Sequence, residues 1–229
     1  MEPENRGKSI HVVRGHPYHT DGLTCLAITA DSTIAITGSK DSSVHMVNIA
    51  TGRVISSLIA HSNSVECIGL SPSFPWAATG GMDQKLILWD LQRSSARCTC
   101  DHEVSIHNIL YGLIGQEGVT SLAWIGATKY VASGCIDGKV RIWDSLSGDC
   151  LKTFSGHVDT VQSIAVSADG NSLVSVSSDG TARVFGGSSL QLVQRSSSHQ
   201  NDWSSGEEND VKINGSQSIN SWLETIEEA

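Results

Sequence analysis

His61, Asp83 and Ser64 are the residue types of a hydrolytic relay, in which a carboxylate orients an imidazole that takes a proton from a serine hydroxyl. The trio fails as a unique site, because His, hydroxyl and Asp recur together elsewhere in the chain and an active site is needed once. Cys98-Thr99-Cys100 is the one close cysteine pair, and zinc would need a second pair, or a histidine pair, at ligand spacing beside it. Neither is present. The cysteines at 25, 67, 98, 100, 135 and 150 therefore read as reduced thiols, which suits the cytoplasm, with the nucleus as the other compartment. Gly80-Gly81 lacks the lysine and the strand-to-helix setting of a phosphate loop. These readings leave no catalytic residue, no cofactor-binding residue and no metal ligand, and they predict that the chain is not an enzyme.

The recurring residues belong to a repeat with fixed internal distances. DSSVHMVN (41–48), DQKLILWD (83–90), DGKVRIWD (137–144) and DGTARVFG (179–186) align on their ends, and their leading residues Asp41, Asp83, Asp137 and Asp179 stand 42, 54 and 42 apart. The seventh place of each reads Val47, Trp89, Trp143 or Phe185. Ten residues before it stands a hydroxyl, from Thr37, Thr79, Ser133 or Ser175. Twenty-eight residues before it stands His19, His61 or His157 in three of the repeats. The third recovers its histidine, His102, when residues 104–116 (VSIHNILYGLIGQ) are taken as an inserted loop.

Strands must hold these positions. VECIGLS, TSLAWIG and VQSIAVS alternate apolar with small or polar residues, as half-buried strands do. WAATGGM, YVASGCI and LVSVSS follow, then KLILWD, KVRIWD and TARVF, and SIHVV, RVISSLI and CLKTF supply a fourth strand before a histidine. Asp-Gly at 137–138 and 179–180 predicts a tight turn between the second and third strands, at a place that tolerates positive φ. Each unit is thus a small four-stranded antiparallel sheet.

Those coincident positions resemble the WD40 repeat family over roughly residues 9–195. The resemblance implies an all-β fold, a WD40 β-propeller with four recognisable blades in partial or open form. It also implies that His, hydroxyl, Asp and Trp form a hydrogen-bonded network inside each blade. His61, Thr79, Asp83 and Trp89 make a full set, as do His102, Ser133, Asp137 and Trp143 once the insertion is looped out. His19, Thr37 and Asp41 end at Val47, and His157, Ser175 and Asp179 end at Phe185, neither of which can donate, so those two blades are expected to be looser. The phrases GHPYHTDGLTCLAI, GSKDSSVHMVNI, AATGGMDQKLILWDLQ and GVTSLAWIG are similar to the C-terminal half of the angio-associated migratory cell protein family, in its plant form. Such a resemblance implies a protein-binding scaffold, with loops near 16–20, 60–64 and 155–160 on the propeller's top face contacting a partner. The alternative it implies, from fungal relatives, is an assembly chaperone for a basic ribosomal protein in ribosome biogenesis.

The domain reading is a flexible N-terminus (1–8), repeats at 9–50, 51–92, 93–146 and 147–187, a closing strand at 189–194 and a disordered acidic tail (196–229). Of the net charge of −9, the tail carries −6, from seven acids against Lys212, and the remaining −3 belongs to residues 1–195. Neither part has the basic stripe that phosphate binding needs, so direct nucleic-acid binding is not expected. No run approaches the ~18 apolar residues of a membrane span. Four repeats resemble half of a closed ring, and open sheets expose strand edges that favour self-association; a truncated form of a longer protein is the expectation.

Overall fold

The computed structural model describes residues 11–14, 17–102 and 118–186. β1 (Leu23–Ile28), β2 (Ile34–Ser39), β3 (Ser43–Asn48) and β4 (Val54–Ile59) form the first sheet. β5 (Val65–Leu70), β6 (Trp76–Gly81), β7 (Lys85–Asp90) and β8 (Ser95–Asp101) form the second, and β9 (Val119–Trp124), β10 (Tyr130–Cys135), β11 (Val140–Asp144) and β12 (Cys150–Phe154) the third. The fourth holds β13 (Val161–Val166), β14 (Ser172–Ser177) and β15 (Ala182–Gly186). Within each sheet consecutive strands pair antiparallel, so every connection is a short turn. The chain is all-β over the described residues, an open WD40-type propeller.

The sheets are offset from the repeat boundaries. RVISSLI, which opens the second repeat, supplies β4 and pairs with β3 of the first sheet, and the histidine loop then carries the chain to the next sheet. Each repeat therefore straddles two sheets and ties them in sequence. β8 has no apolar signature in SARCTCD because it is an outer strand in which only Cys100 is buried. Of the strand expected at 9–13, residues 11–13 are described and belong to no strand; the His11 ring instead bonds the Ala50 carbonyl at 2.8 Å. The insertion at 104–116, the closing strand at 189–194 and the acidic tail at 196–229 lie outside the described residues.

The strands β1, β5, β9 and β13 lie side by side, and three cores fill the spaces between successive sheets. The period-two rule explains how one strand serves two cores. In β7, Ile87 and Trp89 point toward the first sheet with Ile36, Met46 and Leu58, while Leu86 and Leu88 point toward the third with Trp124 and Trp143. The run Leu86–Trp89 in β7 is continuously apolar because both faces of that strand are covered.

A bulge recurs where each first strand begins, at Leu23/Cys25, Val65/Cys67, Val119/Ser121 and Val161/Ser163. The extra residue re-aims its side chain. Thr24 donates to the Val65 carbonyl and Thr120 to that of Val161, stitching neighbouring sheets together.

Candidate functional site

The second sheet carries an unbroken relay. His61 Nδ1 lies 3.0 Å from both Asp83 oxygens, His61 Nε2 lies 2.7 Å from Thr79 Oγ1, and Trp89 Nε1 donates to that same oxygen at 2.8 Å. A carboxylate accepts, so Nδ1 holds the imidazole proton and Thr79 must donate to Nε2. Donors then run one way, from indole to hydroxyl to imidazole to carboxylate. Burial pushes the Asp83 carboxyl up, but the His61 imidazole and the Ser62 N–H outweigh it and hold it below the usual range. Ser64 is not served by this histidine: both ring nitrogens are engaged, and the Ser64 hydroxyl is buried without a hydrogen-bond partner.

The first and fourth sheets complete their networks by other means. His19 Nε2 lies 2.9 Å from Thr37 Oγ1, and Nδ1 reaches Ser43 Oγ at 2.8 Å and Asp41 at 3.3 Å. Val47 offers no donor, but the Tyr18 hydroxyl donates to Thr37 Oγ1 at 3.2 Å from outside the sheet. In the fourth sheet His157 Nε2 meets Ser175 Oγ at 2.7 Å, and Nδ1 meets Asp179 at 3.1 Å and Thr181 Oγ1 at 3.0 Å. Phe185, in the indole's place, stacks on Phe154 with ring centroids 4.4 Å apart. Both Trp-less repeats thus carry a hydroxyl two residues past the aspartate, Ser43 or Thr181. Burial works against the Asp41 and Asp179 carboxyls, yet these hydroxyls and backbone N–H groups hold both well below the usual range.

The third sheet departs from the pattern. His102 Nε2 lies 3.0 Å from Ser133 Oγ, to which Trp143 Nε1 donates at 2.8 Å, but its Nδ1 donates to the Gln84 carbonyl at 3.1 Å. Asp137 is held instead by Arg141, through contacts of 2.6 and 3.3 Å. His102 and Asp137 are therefore not brought together, because the guanidinium gives that carboxylate a stronger, bidentate partner. Burial, and then the Arg141 charge, push the His102 imidazole down to about 4. Arg141 stands in β11 at a place to which the repeat assigns no role.

Three of these carboxylates also pin the loops that carry the histidines. Asp41 accepts the Thr20 N–H at 2.7 Å, Asp83 the Ser62 N–H at 2.9 Å and Asp179 the Val158 N–H at 3.0 Å. Just beyond, Asp21, Asn63 and Asp159 are exposed and fold back on the next backbone N–H. Val158 is 90% exposed at this surface. Among the described residues no cluster of three or more metal-ligating side chains occurs, and all six cysteines are free thiols.

A family model described as the nucleolar protein 10-like N-terminal domain, a β-propeller, matches residues 13–213. The human angio-associated migratory cell protein is 31% identical over 195 residues, which cover 79% of this chain and 42% of that protein. An uncharacterized WD repeat-containing protein of Schizosaccharomyces pombe is 27% identical over 72% of this chain and 38% of its own length. The chain thus spans less than half the length of these curated relatives. Among solved structures, the computationally designed Ika4 protein superposes with a TM-score of 0.65 at 23% identity, covering 79% of this chain and 99% of that one. That likeness concerns the fold alone.

Proposed function

The chain belongs to the WD-repeat β-propeller family, with a nucleolar protein 10-like propeller domain, and on that premise we propose that it is a scaffold whose histidine-bearing loops grip a protein partner. Interaction scaffolding without catalysis is the general role of such domains. The observation that carries the finer reading is the pinning of three histidine-bearing loops by Asp41, Asp83 and Asp179. Loops fixed by buried networks present their exposed tips at little conformational cost on binding. Val158, Asp159, Asn63 and Asp21 are among the exposed side chains displayed there.

Affinity purification with mass spectrometry, comparing the chain with a Val158→Asp variant, tests this. A partner retained by the wild type and lost by the folded variant is the expected result. Partners indifferent to Val158→Asp, Asp159→Lys and Asn63→Lys together overturn the assignment to this face.

A second reading is an assembly chaperone for a basic ribosomal protein, which places the chain in the nucleus as well as the cytoplasm. It draws on the nucleolar description of the matching family and on the −6 carried by residues 196–229, since acidic segments steer basic clients. Enrichment of one ribosomal protein, lost at raised salt, is its signature in the same experiment.

A further inference from the structure

We propose that the end of the second and third sheets opposite the histidine loops binds a short acidic peptide that also carries an apolar side chain. This surface goes beyond the reading above, because antiparallel strands place the 71–75 and 91–94 turns at the far end from the histidine loops. There Phe74 stacks on Trp76 with centroids 4.3 Å apart and planes 13° from parallel, and the Arg97 guanidinium lies 4.1 Å over the Trp76 ring. A stacked guanidinium keeps its hydrogen-bonding edge free for a carboxylate. Arg97 makes no ion pair among the described residues.

Arg93 stands beside it. The Asp90 carboxylate is occupied by the Gln92 and Arg93 backbone N–H groups, each at 3.0 Å, and reaches the Arg93 guanidinium only at 3.8 Å. The two arginines, with Asp90, Ser95, Ala96 and Leu146, line a cavity of about 290 Å³. That is room for one or two side chains, at the lower end of ligand sites. Exposed Leu146 and Phe74 supply the apolar contact, and the two guanidiniums lining the cavity supply local charge complementarity to carboxylates. Peptide is favoured over single-stranded nucleic acid because two cations beside the Asp90 carboxylate do not make a track for a phosphate backbone.

The test uses the full chain and fluorescence anisotropy of a fluorescein-labelled Glu-Phe-Asp-Leu-Glu peptide. Its amide counterpart, Gln-Phe-Asn-Leu-Gln, and a pentameric oligothymidylate are the comparators. The acidic peptide is expected to bind about tenfold or more tightly than the amide peptide, with affinity falling as salt rises. Arg93→Gln with Arg97→Gln removes that advantage, whereas Val158→Asp leaves it intact, which separates this site from the histidine-loop surface. Equal binding of the two peptides to the unaltered chain overturns the proposal, as does oligothymidylate binding at least as well. Undiminished binding by the double variant, shown by its thermal melt to be folded, overturns it too.

Discussion

Hydrogen-bond direction decides what each network residue is worth. In the second sheet Thr79 is the only group that both accepts from the Trp89 indole and donates to His61. Thr79→Val keeps the shape, strands two buried partners and should cost about 3 kcal/mol by urea unfolding. Thr37→Val should cost less, about 2 kcal/mol, since it strands the buried His19 Nε2 but the Tyr18 hydroxyl it also abandons is only half-buried and can turn to water. A second contrast concerns pH. Held neutral in the fold to about pH 4 by burial and by Arg141, His102 gains a proton in the unfolded chain below about pH 6.5. Its contribution to stability is complete above that upper value and is lost as the pH falls toward the lower one. The shift amounts to about 2 kcal/mol between pH 7 and pH 5. His102→Gln should flatten that stretch of the stability curve, measured as urea midpoints at the two pH values. The depressed carboxyls of Asp41, Asp83 and Asp179 act in a separate window, keeping their contribution until the pH drops below about 4. An unchanged slope in the variant would assign the acid sensitivity elsewhere.

Between elements, the spacing of the sheets is set by three glycines. A Cβ at Gly38, Gly80 or Gly134 would stand 2.8, 2.5 or 2.6 Å from a methyl of Val65, Val119 or Val161, the residue that opens the next sheet. Gly80→Ala must push Val119 and Cys67 aside and should destabilise by about 2 kcal/mol. Val119→Ala alone leaves a void, yet combined with Gly80→Ala it should return about 1 kcal/mol of coupling in a double-mutant cycle. Additive costs would mean the seat does not exist. The glycine signal was there to be read, as Thr37-Gly38, Thr79-Gly80 and Ser133-Gly134. Its reason lies in a valine some 27 or more residues away on another sheet, so periodicity within one strand cannot supply it. The His, hydroxyl and Asp register was legible where those positions answer one another across a single repeat, as they do in the first, second and fourth sheets. Tyr18 and Arg141 were not, because each enters a network from a place the repeat leaves unassigned. The same holds for β8, whose polar residues are strand because β7 offers an edge, not because of any pattern of their own.

At the scale of the molecule, the end sheets each turn one face away from a described neighbour, and those faces do not match each other. On the first sheet Leu23, Leu26, Ile28 and Ile59 are all more than half exposed. Their cross-strand partners Ser39, Thr37, Ala35 and Ser43 place them on the face that holds His19 and Val47, away from the second sheet. An apolar sheet face of this kind invites a second copy, stacked head to tail in the register the other sheets use. In that register Leu23 takes the valine's place, and it would have to sit over Val176, which takes the glycine's place in the fourth sheet. Three junctions seat a valine on a glycine; this one would seat a leucine on a valine, adding several methyl groups where a single Cβ is already too close. Self-association through this contact is therefore predicted to be disfavoured, and opening the seat to favour it. Light scattering coupled to size-exclusion chromatography should find the wild type no larger than the same chain carrying Leu26→Lys, while Leu23→Val with Val176→Gly should shift mass toward multiples as the concentration is raised. A wild-type chain already running as multiples, indifferent to both seat substitutions, would mean that copies join through some other surface.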